Sequence, residues 1–142
     1  MYLLQYDRMG SGLIRFPWIS GPAAETDGPV LVSVTDFRLV RGRDLPGAYV
    51  AGARLRHAWP GLEGAVGQWM WAQPLAKRSG AVSVWCGEAD LRRFVGWPVH
   101  VAIMRKYRNA GKLLSASWET DKFLPGVIWA EAVWRLAAGK LS

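Results

Sequence analysis

The chain is poor in cysteine. Among its 142 residues there is one cysteine, Cys86, so an intramolecular disulfide is impossible. No group of Cys and His residues has the spacing of a zinc site. Chains without disulfides are typical of reducing compartments, and we expect a cytoplasmic protein. Because Cys86 alternates with Val82 and Val84, we predict that its thiol is buried in the core.

The sequence also lacks a long hydrophobic run. The longest apolar stretch, residues 127–138, is too short to cross a bilayer and is interrupted by Glu131 and Arg135. The first eight residues include the polar Gln5 and Asp7, and no basic segment precedes an apolar run as in a secretory signal. We therefore expect neither a membrane span nor secretion.

Acidic residues are fewer than basic ones. The 11 Asp and Glu against 18 Lys and Arg give a formal net charge of +7, which could attract nucleic acid, anionic lipid or an acidic ligand. The densest basic segment is Arg105, Lys106 and Arg108, followed by Lys112. No zinc-finger, basic-zipper or aromatic RNA-binding motif accompanies the charge. We predict a solvated basic surface that attracts an anionic substrate at most, and no nucleic-acid partner.

Several catalytic motifs are missing as well. Gly10 and Gly12 flank a serine without the lysine or the preceding strand of a phosphate-binding loop. The sequence has no Gly-x-Ser-x-Gly element and no pair of carboxylates spaced for acid–base work. Phosphoryl transfer, serine hydrolysis and glycoside hydrolysis are therefore disfavoured.

Large apolar side chains, in contrast, are abundant. Apolar residues make up 51% of the chain and include nine Trp, enough to fill a core and to line a pocket or a subunit interface. The length suits one domain, which we place at residues 30–142. Residues 1–29 form an N-terminal extension with a possible edge strand at Tyr2–Tyr6.

The apolar pattern predicts alternating strands and helices. Strands are predicted at residues 30–38, 65–72, 81–86 and 113–119. Proline-containing starts and apolar periodicity predict helices at residues 44–57, 88–95, 99–108 and 124–138. The order β-α-β-β-α-β, with one helix appended, predicts a ferredoxin-like α+β fold.

The predicted strands have two different faces. In the first strand an apolar face alternates with a polar and aromatic one: Val30, Val32 and Val34 against Ser33, Thr35 and Phe37. In the third strand Val82 and Val84 likewise oppose Ser83 and Trp85. We expect helices against the valine face and a cavity on the other face.

Five segments of the chain, taken in order, resemble a known superfamily. They are Val32-Ser-Val-Thr-Asp-Phe-Arg38, Leu45-Pro-Gly47, Val82-Ser-Val-Trp85, Glu88-Ala-Asp-Leu-Arg-Arg-Phe94 and Pro98-Val-His-Val-Ala-Ile-Met104. A strand ending in Trp, an acidic helix start, a Phe and a His-containing helix recur in this order in the antibiotic-biosynthesis-monooxygenase superfamily. The chain resembles that superfamily over about residues 30–120, and its spheroidene monooxygenase branch most. The resemblance implies a dimeric α/β barrel.

Members of this superfamily catalyse different reactions. They include cofactor-free monooxygenases, heme-degrading monooxygenases, heme-dependent dehydratases and polyketide cyclases or isomerases, so the fold leaves the reaction open. The resemblance implies a monooxygenase-like enzyme for a small aromatic or polyketide-like molecule, without a cofactor or, alternatively, with heme. A non-redox cyclase, isomerase or lyase, and a non-catalytic protein that binds a small molecule, remain open.

His100 is the strongest candidate for a catalytic residue. With Ile103, Met104 and Tyr107 it has the spacing of one helical face, so its imidazole should point inward. A neutral imidazole there can act as a base or as an axial iron ligand. Heme-binding members of the superfamily carry their iron ligand on the corresponding helix. The alternative is a half-buried histidine that is bonded to the backbone.

The other candidate site residues follow from the strand faces and helix ends. We expect these side chains to bind the substrate: Ser33, Thr35, Phe37, Trp69, Trp71, Ser83, Trp85, Met104 and Trp118. Tyr107 and His57 complete the catalytic set as groups that orient the substrate, although His57 also suits a helix cap. Each Trp, taken alone, could equally fill the core.

The predicted sheet also suggests a homodimer. A four-stranded sheet with helices on one face leaves its other, Trp-bearing face exposed unless a partner covers it. If two such sheets close into a barrel, neither Trp-bearing face is exposed to solvent. The expected partners are therefore a second copy of the chain and a small-molecule substrate.

Overall fold

The strands and helices alternate in the predicted order. The computed structural model describes residues 5–7 and 12–141. The strands are β1 (Gln5–Asp7), β2 (Leu13–Arg15), β3 (Ile19–Ser20), β4 (Val30–Leu39), β5 (Ala65–Gln73), β6 (Arg78–Trp85) and β7 (Gly111–Thr120). The helices are α1 (Leu45–Ala58), α2 (Glu88–Val95), α3 (Pro98–Tyr107) and α4 (Pro125–Ala138). The predicted strands and helices of residues 30–138 are confirmed to within a few residues at their ends.

The strand order is that of a ferredoxin-like unit. The long strands lie in the order β5-β6-β4-β7, and each neighbouring pair is antiparallel. The chain order β4-α1-β5-β6-α2-α3-β7 is therefore a β-α-β-β-α-β unit whose first and third strands are central. The predicted α+β fold class is confirmed, and α4 is the appended C-terminal helix.

Prolines determine where two of the helices begin. Pro98 and Pro125 start α3 and α4, and the residues before them, Trp97 and Leu124, are extended, as a residue before proline prefers to be. α4 ends at Gly139, whose φ of 69° is left-handed and is adopted by glycine without steric cost. These local signals explain why the helix boundaries were predictable.

The main core lies on the valine face of the sheet. It contains buried residues of β4 and β6, namely Val30, Val32, Val34, Val82 and Val84. α4 covers this face with Ile128, Trp129, Ala132 and Leu136. Full burial of each large apolar side chain contributes about 1.5–3 kcal/mol. The valine face is thus packed by α4, while α1, α2 and α3 lie on the opposite face, above the cavity described below.

A buried ion pair fastens the end of α4 to the sheet. Asp36 is fully buried, and its carboxylate accepts hydrogen bonds from Nε and Nη2 of Arg78 at 3.1 and 2.8 Å. Arg38 Nε donates to the same carboxylate at 3.0 Å. Arg78 also donates to the carbonyl of Leu136 at 3.3 Å. Because removal of one partner would leave an uncompensated buried charge, this network fixes how α4 lies on the sheet.

Cys86 is exposed, so the prediction of a buried thiol is wrong. β6 ends at Trp85, and Cys86 lies in the turn that leads to α2. Its backbone N–H donates to the carbonyl of Gly64 at 2.8 Å. Side chains alternate between the two faces only within a strand, so the pattern could not place a residue beyond its end.

The N-terminal extension adds short strands beside β5. β2 and β3 both pair with β5, and β1 pairs with β2. β1 includes the last two residues of the possible edge strand Tyr2–Tyr6, whereas residues 1–4 lie outside the described residues.

Trp18, also in the extension, packs onto the main domain. Its ring centroid lies 4.5 Å from that of Trp69 and 5.1 Å from that of Phe123. Gly67 makes this approach possible, because a Cβ at that position would overlap the indole of Trp18.

Candidate functional site

A cavity of about 1140 Å³ lies between the sheet and helices α1, α2 and α3. Its floor is the face of the sheet that carries Ser33, Thr35 and Phe37, opposite the valine face. This is the face on which the strand pattern predicts a cavity. The volume lies slightly above the range of roughly 300–1,000 Å³ that is typical of small-molecule sites, so the cavity has room for a bulky organic molecule.

The roof of the cavity, formed by α1, is apolar and carries several small residues. Ala48, Ala51 and Gly52 face the cavity and leave space that larger side chains would occupy. A Cβ at Gly52 would lie 2.7 Å from the methyl group of Met70, which belongs to the floor. α1 has no buried residue, so the helix forms a wall over a space rather than a packed layer.

The floor of the cavity is polar along one line across the sheet. Gln68, Ser83, Ser33 and Ser117 are successive partners in the strand register, so their side chains form a row on the same face. We call these four residues the polar row. The Ser83 hydroxyl accepts from the indole N–H of Trp85 at 3.0 Å and donates to the carbonyl of Ser33 at 3.4 Å.

His100 lines the cavity from α3, and its tautomer is determined by a backbone carbonyl. Nδ1 lies 3.0 Å from the carbonyl oxygen of Val95, at the end of α2. A carbonyl can only accept, so Nδ1 carries the proton and the neutral imidazole keeps a lone pair on Nε2. The ring packs against Phe94 with centroids 4.7 Å apart.

Burial lowers the pKa of His100 below its ordinary value of 6.5, because desolvation penalises the charged imidazolium. The hydrogen bond to Val95 raises the pKa and offsets part of this effect. At neutral pH the imidazole is therefore uncharged and able to accept a proton.

Tyr107 lines the same cavity about two helical turns after His100 in α3. Its ring meets that of Phe37 edge to face, with centroids 6.4 Å apart. The absence of a side chain at Gly47 gives room for the Tyr107 hydroxyl, since a Cβ there would lie 2.8 Å from it. His100, Ile103, Met104 and Tyr107 all line the cavity, as their spacing predicts.

The structure brings most of the predicted site residues together. The following line the cavity: Ser33, Thr35, Phe37, Trp71, Ser83, His100, Met104 and Tyr107. Trp71 also lines it, although the register places this residue on the valine face with Trp69, and its indole N–H donates to the carbonyl of Thr35 at 3.1 Å. Four others, namely His57, Trp69, Trp85 and Trp118, do not line it.

Trp69 and Trp118 lie on the wrong face of the sheet for the predicted role. In the register Trp69 pairs with Val82 and Trp118 with Val32, so both share the valine face. Trp69 packs against the ring of Trp129 in α4 with centroids 5.5 Å apart. Trp118 borders a separate cleft of about 570 Å³.

Trp85 and His57 do not line the cavity for two other reasons. Trp85 is fully buried beneath Trp59 and Phe94, with ring centroids 5.0 and 5.2 Å away, and these rings separate it from the cavity. His57 is exposed in the last turn of α1. His57, Trp69, Trp85 and Trp118 are therefore not part of the cavity wall.

Sequence reasoning missed several residues of the site, of which Trp59 and Gln68 are buried. Trp59 lines the cavity and is buried, and its indole N–H has no hydrogen-bond partner among the described residues. The segment Trp59-Pro60-Gly61 predicts only a helix stop. Gln68 also lines the cavity, and a polar side chain in the middle of an apolar strand was the signal that could have identified it.

Charge is unevenly distributed around the cavity. Many cations lie at the end of the sheet where β4 ends and β7 begins, and we call this the basic end. The strand register and the chain order place these residues there: Arg38, Arg41, Arg43, Lys77, Arg78, Arg105, Lys106, Arg108 and Lys112. At the opposite end lie Glu63, Glu88, Asp90, Glu119 and Asp121, and Arg92 and Arg93 form ion pairs with the first three of these. Arg108 also lines the cavity and forms no ion pair with any described residue. Cations that are dispersed along the sequence are thus gathered in space.

The described part of the chain contains no obvious metal or membrane element. No group of three or more His, Cys, Asp or Glu residues within it could hold a metal ion. None of its helices has the length and apolar character needed to span a bilayer.

Comparison with known proteins identifies the fold. No protein-family model and no curated protein sequence matches the chain. Among solved structures, a mutant form of SnoaB, a cofactor-independent oxygenase from Streptomyces nogalater, matches with a TM-score of 0.53 and 15% identity over 68% of this chain and 97% of that one.

Two further solved structures have the same fold. A candidate antibiotic biosynthesis monooxygenase from Nitrosomonas europaea matches with a TM-score of 0.58 and 7% identity over 70% of this chain and 96% of that one. A candidate monooxygenase from Lactobacillus acidophilus matches with a TM-score of 0.52 and 8% identity over 63% of this chain, and the match spans only 42% of that longer chain. The protein therefore has the fold of antibiotic-biosynthesis-monooxygenase-like proteins.

Proposed function

We propose that this protein is a cofactor-independent monooxygenase that acts on a small aromatic or polyketide-like molecule, with His100 as its base. One observation carries the proposal. An imidazole that is neutral at physiological pH, with Nδ1 bonded to Val95, lies in the wall of a large apolar cavity. Such a group is suited to remove a proton from a substrate held beside it.

The chemistry requires a substrate with an acidic C–H group, such as a methylene between aromatic rings. Nε2 of His100 takes one proton, and the resulting carbanion, stabilised as an enolate, transfers electrons to dioxygen and forms a C–O bond. The resulting peroxide anion takes the proton back from His100, and the hydroperoxide then loses water, which contains the second methylene hydrogen, so that a carbonyl remains. Four electrons pass from the substrate to dioxygen, one oxygen atom enters the product and the other leaves as water. No external reductant is needed.

The rest of the cavity supports this chemistry. The apolar roof shields one side of a bound substrate from water and so increases the strength of electrostatic interactions there. The Tyr107 hydroxyl makes no hydrogen bond to a described residue and lines the same cavity, so it can donate to the enolate oxygen as charge develops there. The likeness in fold to a protein described as a cofactor-independent oxygenase agrees with this role.

Two alternatives use the same imidazole. A non-redox cyclase, isomerase or lyase would use His100 as a base and would consume no dioxygen. A heme protein would use the Nε2 lone pair as an axial ligand, and the purified protein would then show a heme absorption band on addition of hemin.

The proposal is tested by dioxygen consumption with anthrone, whose methylene group between two aromatic rings ionises readily. We expect turnover by the natural protein, and a loss of about 10²–10⁴-fold in His100→Gln, since positioned acid–base groups contribute that much. His57→Gln is the matched control, because His57 is exposed outside the cavity. A folded His100→Gln variant with full activity would remove His100 from the reaction.

The homodimer is part of the proposal, but it needs a surface other than the predicted one. Both faces of the sheet are covered within the same chain, the valine face by α4 and the opposite face by α1, α2 and α3, so a partner is not required to bury either. The outer side of α4 remains exposed, with Val127 and Trp134 at 62% and 54%. We propose that a second copy packs there.

A further inference from the structure

The polar row on the cavity floor contains two buried side chains without partners. Gln68 is 4% exposed and Ser33 is 8% exposed, and both line the cavity. Among the described residues, neither the Gln68 amide nor the Ser33 hydroxyl forms a hydrogen bond, in contrast to Ser83 and Thr35. The two unbonded groups belong to the same register row, separated by the strand that carries Ser83.

These two groups need hydrogen-bond partners from within the cavity. Their polar atoms are not sealed from solvent, so water can satisfy them while no ligand is bound. A ligand that displaces this water must replace its hydrogen bonds, because the amide and the hydroxyl would otherwise lose their hydration without compensation. β5 is otherwise apolar in its centre, so Gln68 marks the place where a polar group of the ligand is matched.

We propose that Gln68, assisted by Ser33, binds a carbonyl or hydroxyl oxygen of the ligand and so determines how the ligand is oriented on the floor. The ligand is then an oxygen-substituted aromatic molecule, and the corresponding hydrocarbon is bound weakly. An amide can donate to a carbonyl and accept from a hydroxyl, so Gln68 serves a substrate whose oxygen changes between the two forms. The inference rests on the proposed function only in taking this cavity as the place where the substrate binds.

The experiment compares two tricyclic probes, fluorenone and fluorene. Fluorenone has a carbonyl group where fluorene has a methylene group. Binding is measured by quenching of tryptophan fluorescence, without dioxygen and without turnover, so that a failure of the proposed oxygenase reaction does not affect the result. We expect Gln68→Leu to weaken fluorenone binding by about 5- to 10-fold, as loss of one hydrogen bond predicts, and to change fluorene binding less than about 2-fold. Ser33→Ala should weaken fluorenone binding in the same direction by a smaller factor.

Met70→Leu is the matched control, because Met70 is the next residue of β5 on the same face and has no hydrogen-bonding group. It should affect the two probes equally. A thermal midpoint of Gln68→Leu close to or above that of the natural protein is also expected, since the amide forms no hydrogen bond to a described residue that the substitution would break. Equal effects of Gln68→Leu on both probes would show that Gln68 does not bind the oxygen of the ligand and would overturn the inference. If Gln68→Leu does not fold, Gln68→Met provides the same comparison.

Discussion

The imidazole of His100 illustrates how a single residue acquires its properties from the elements around it. α2 ends directly before α3, and a carbonyl in the last turn of a helix lacks a partner within the helix. His100, two residues after the start of α3, donates to that carbonyl. The same contact that completes the end of α2 therefore sets the tautomer of the proposed base.

The lowered pKa of His100 predicts a specific dependence of stability on pH. As the pH falls below about 6.5, the unfolded chain binds a proton at His100 before the folded chain does, so stability decreases until the pH passes below the folded pKa. Urea denaturation at pH 7.5 and pH 5.5 should show a smaller loss of stability in His100→Gln than in the natural protein. His57→Gln serves as the control, and an identical pH dependence in His100→Gln and the natural protein would contradict the prediction.

Three tryptophans show that the position of a side chain relative to the cavity cannot be predicted from its own strand alone. Alternation within a strand predicts which of its residues share a face, and these assignments agree with the register. It cannot relate the faces of two strands without the register between them, and Trp69 and Trp118 were therefore assigned to the cavity although they lie on the valine face. Trp85 does share the cavity face, but rings from the chain around α1 and α2 cover it, which only tertiary packing reveals.

At the scale of elements, the fold was more predictable than the site. Strand alternation and proline-containing helix starts are local signals, and they predicted the four long strands and the four helices. The position of α4 was not predictable, because a helix with no strand after it can pack on either face of the sheet. The spheroidene monooxygenase branch stays a prediction, since no comparison bears on it.

The small residues of α1 lead to a prediction about the cavity wall. Gly52→Ala should increase stability by up to about 1 kcal/mol, because alanine favours a helix over glycine and the methyl group of Met70 can move into the cavity. Gly67→Ala is the contrasting variant. Its Cβ would meet the rigid ring of Trp18, so it should be destabilising. Chemical denaturation of both variants tests this, and a loss of stability in Gly52→Ala would show that the cavity cannot accept the Met70 side chain.

At the scale of the whole molecule, α4 determines how two copies can associate. Its outer side exposes Val127 and Trp134, with the partly exposed Glu131 between them, and Leu124 is exposed just before the helix; no described part of the chain covers these apolar side chains. Sedimentation at micromolar concentration should show a homodimer, and Trp134→Ser should shift it to monomer. Leu75→Ser is the control, since Leu75 is an exposed apolar residue in the turn between β5 and β6. A monomeric natural protein would contradict the homodimer.

The separation of charge described above gives the molecule a permanent electric dipole that runs parallel to its strands. Near an anionic surface such a body does not tumble freely, because the basic end is attracted and the acidic end is repelled. It approaches with its basic end foremost, and that end includes Arg108, which lines the cavity. Added salt, which screens the dipole, would randomise the approach.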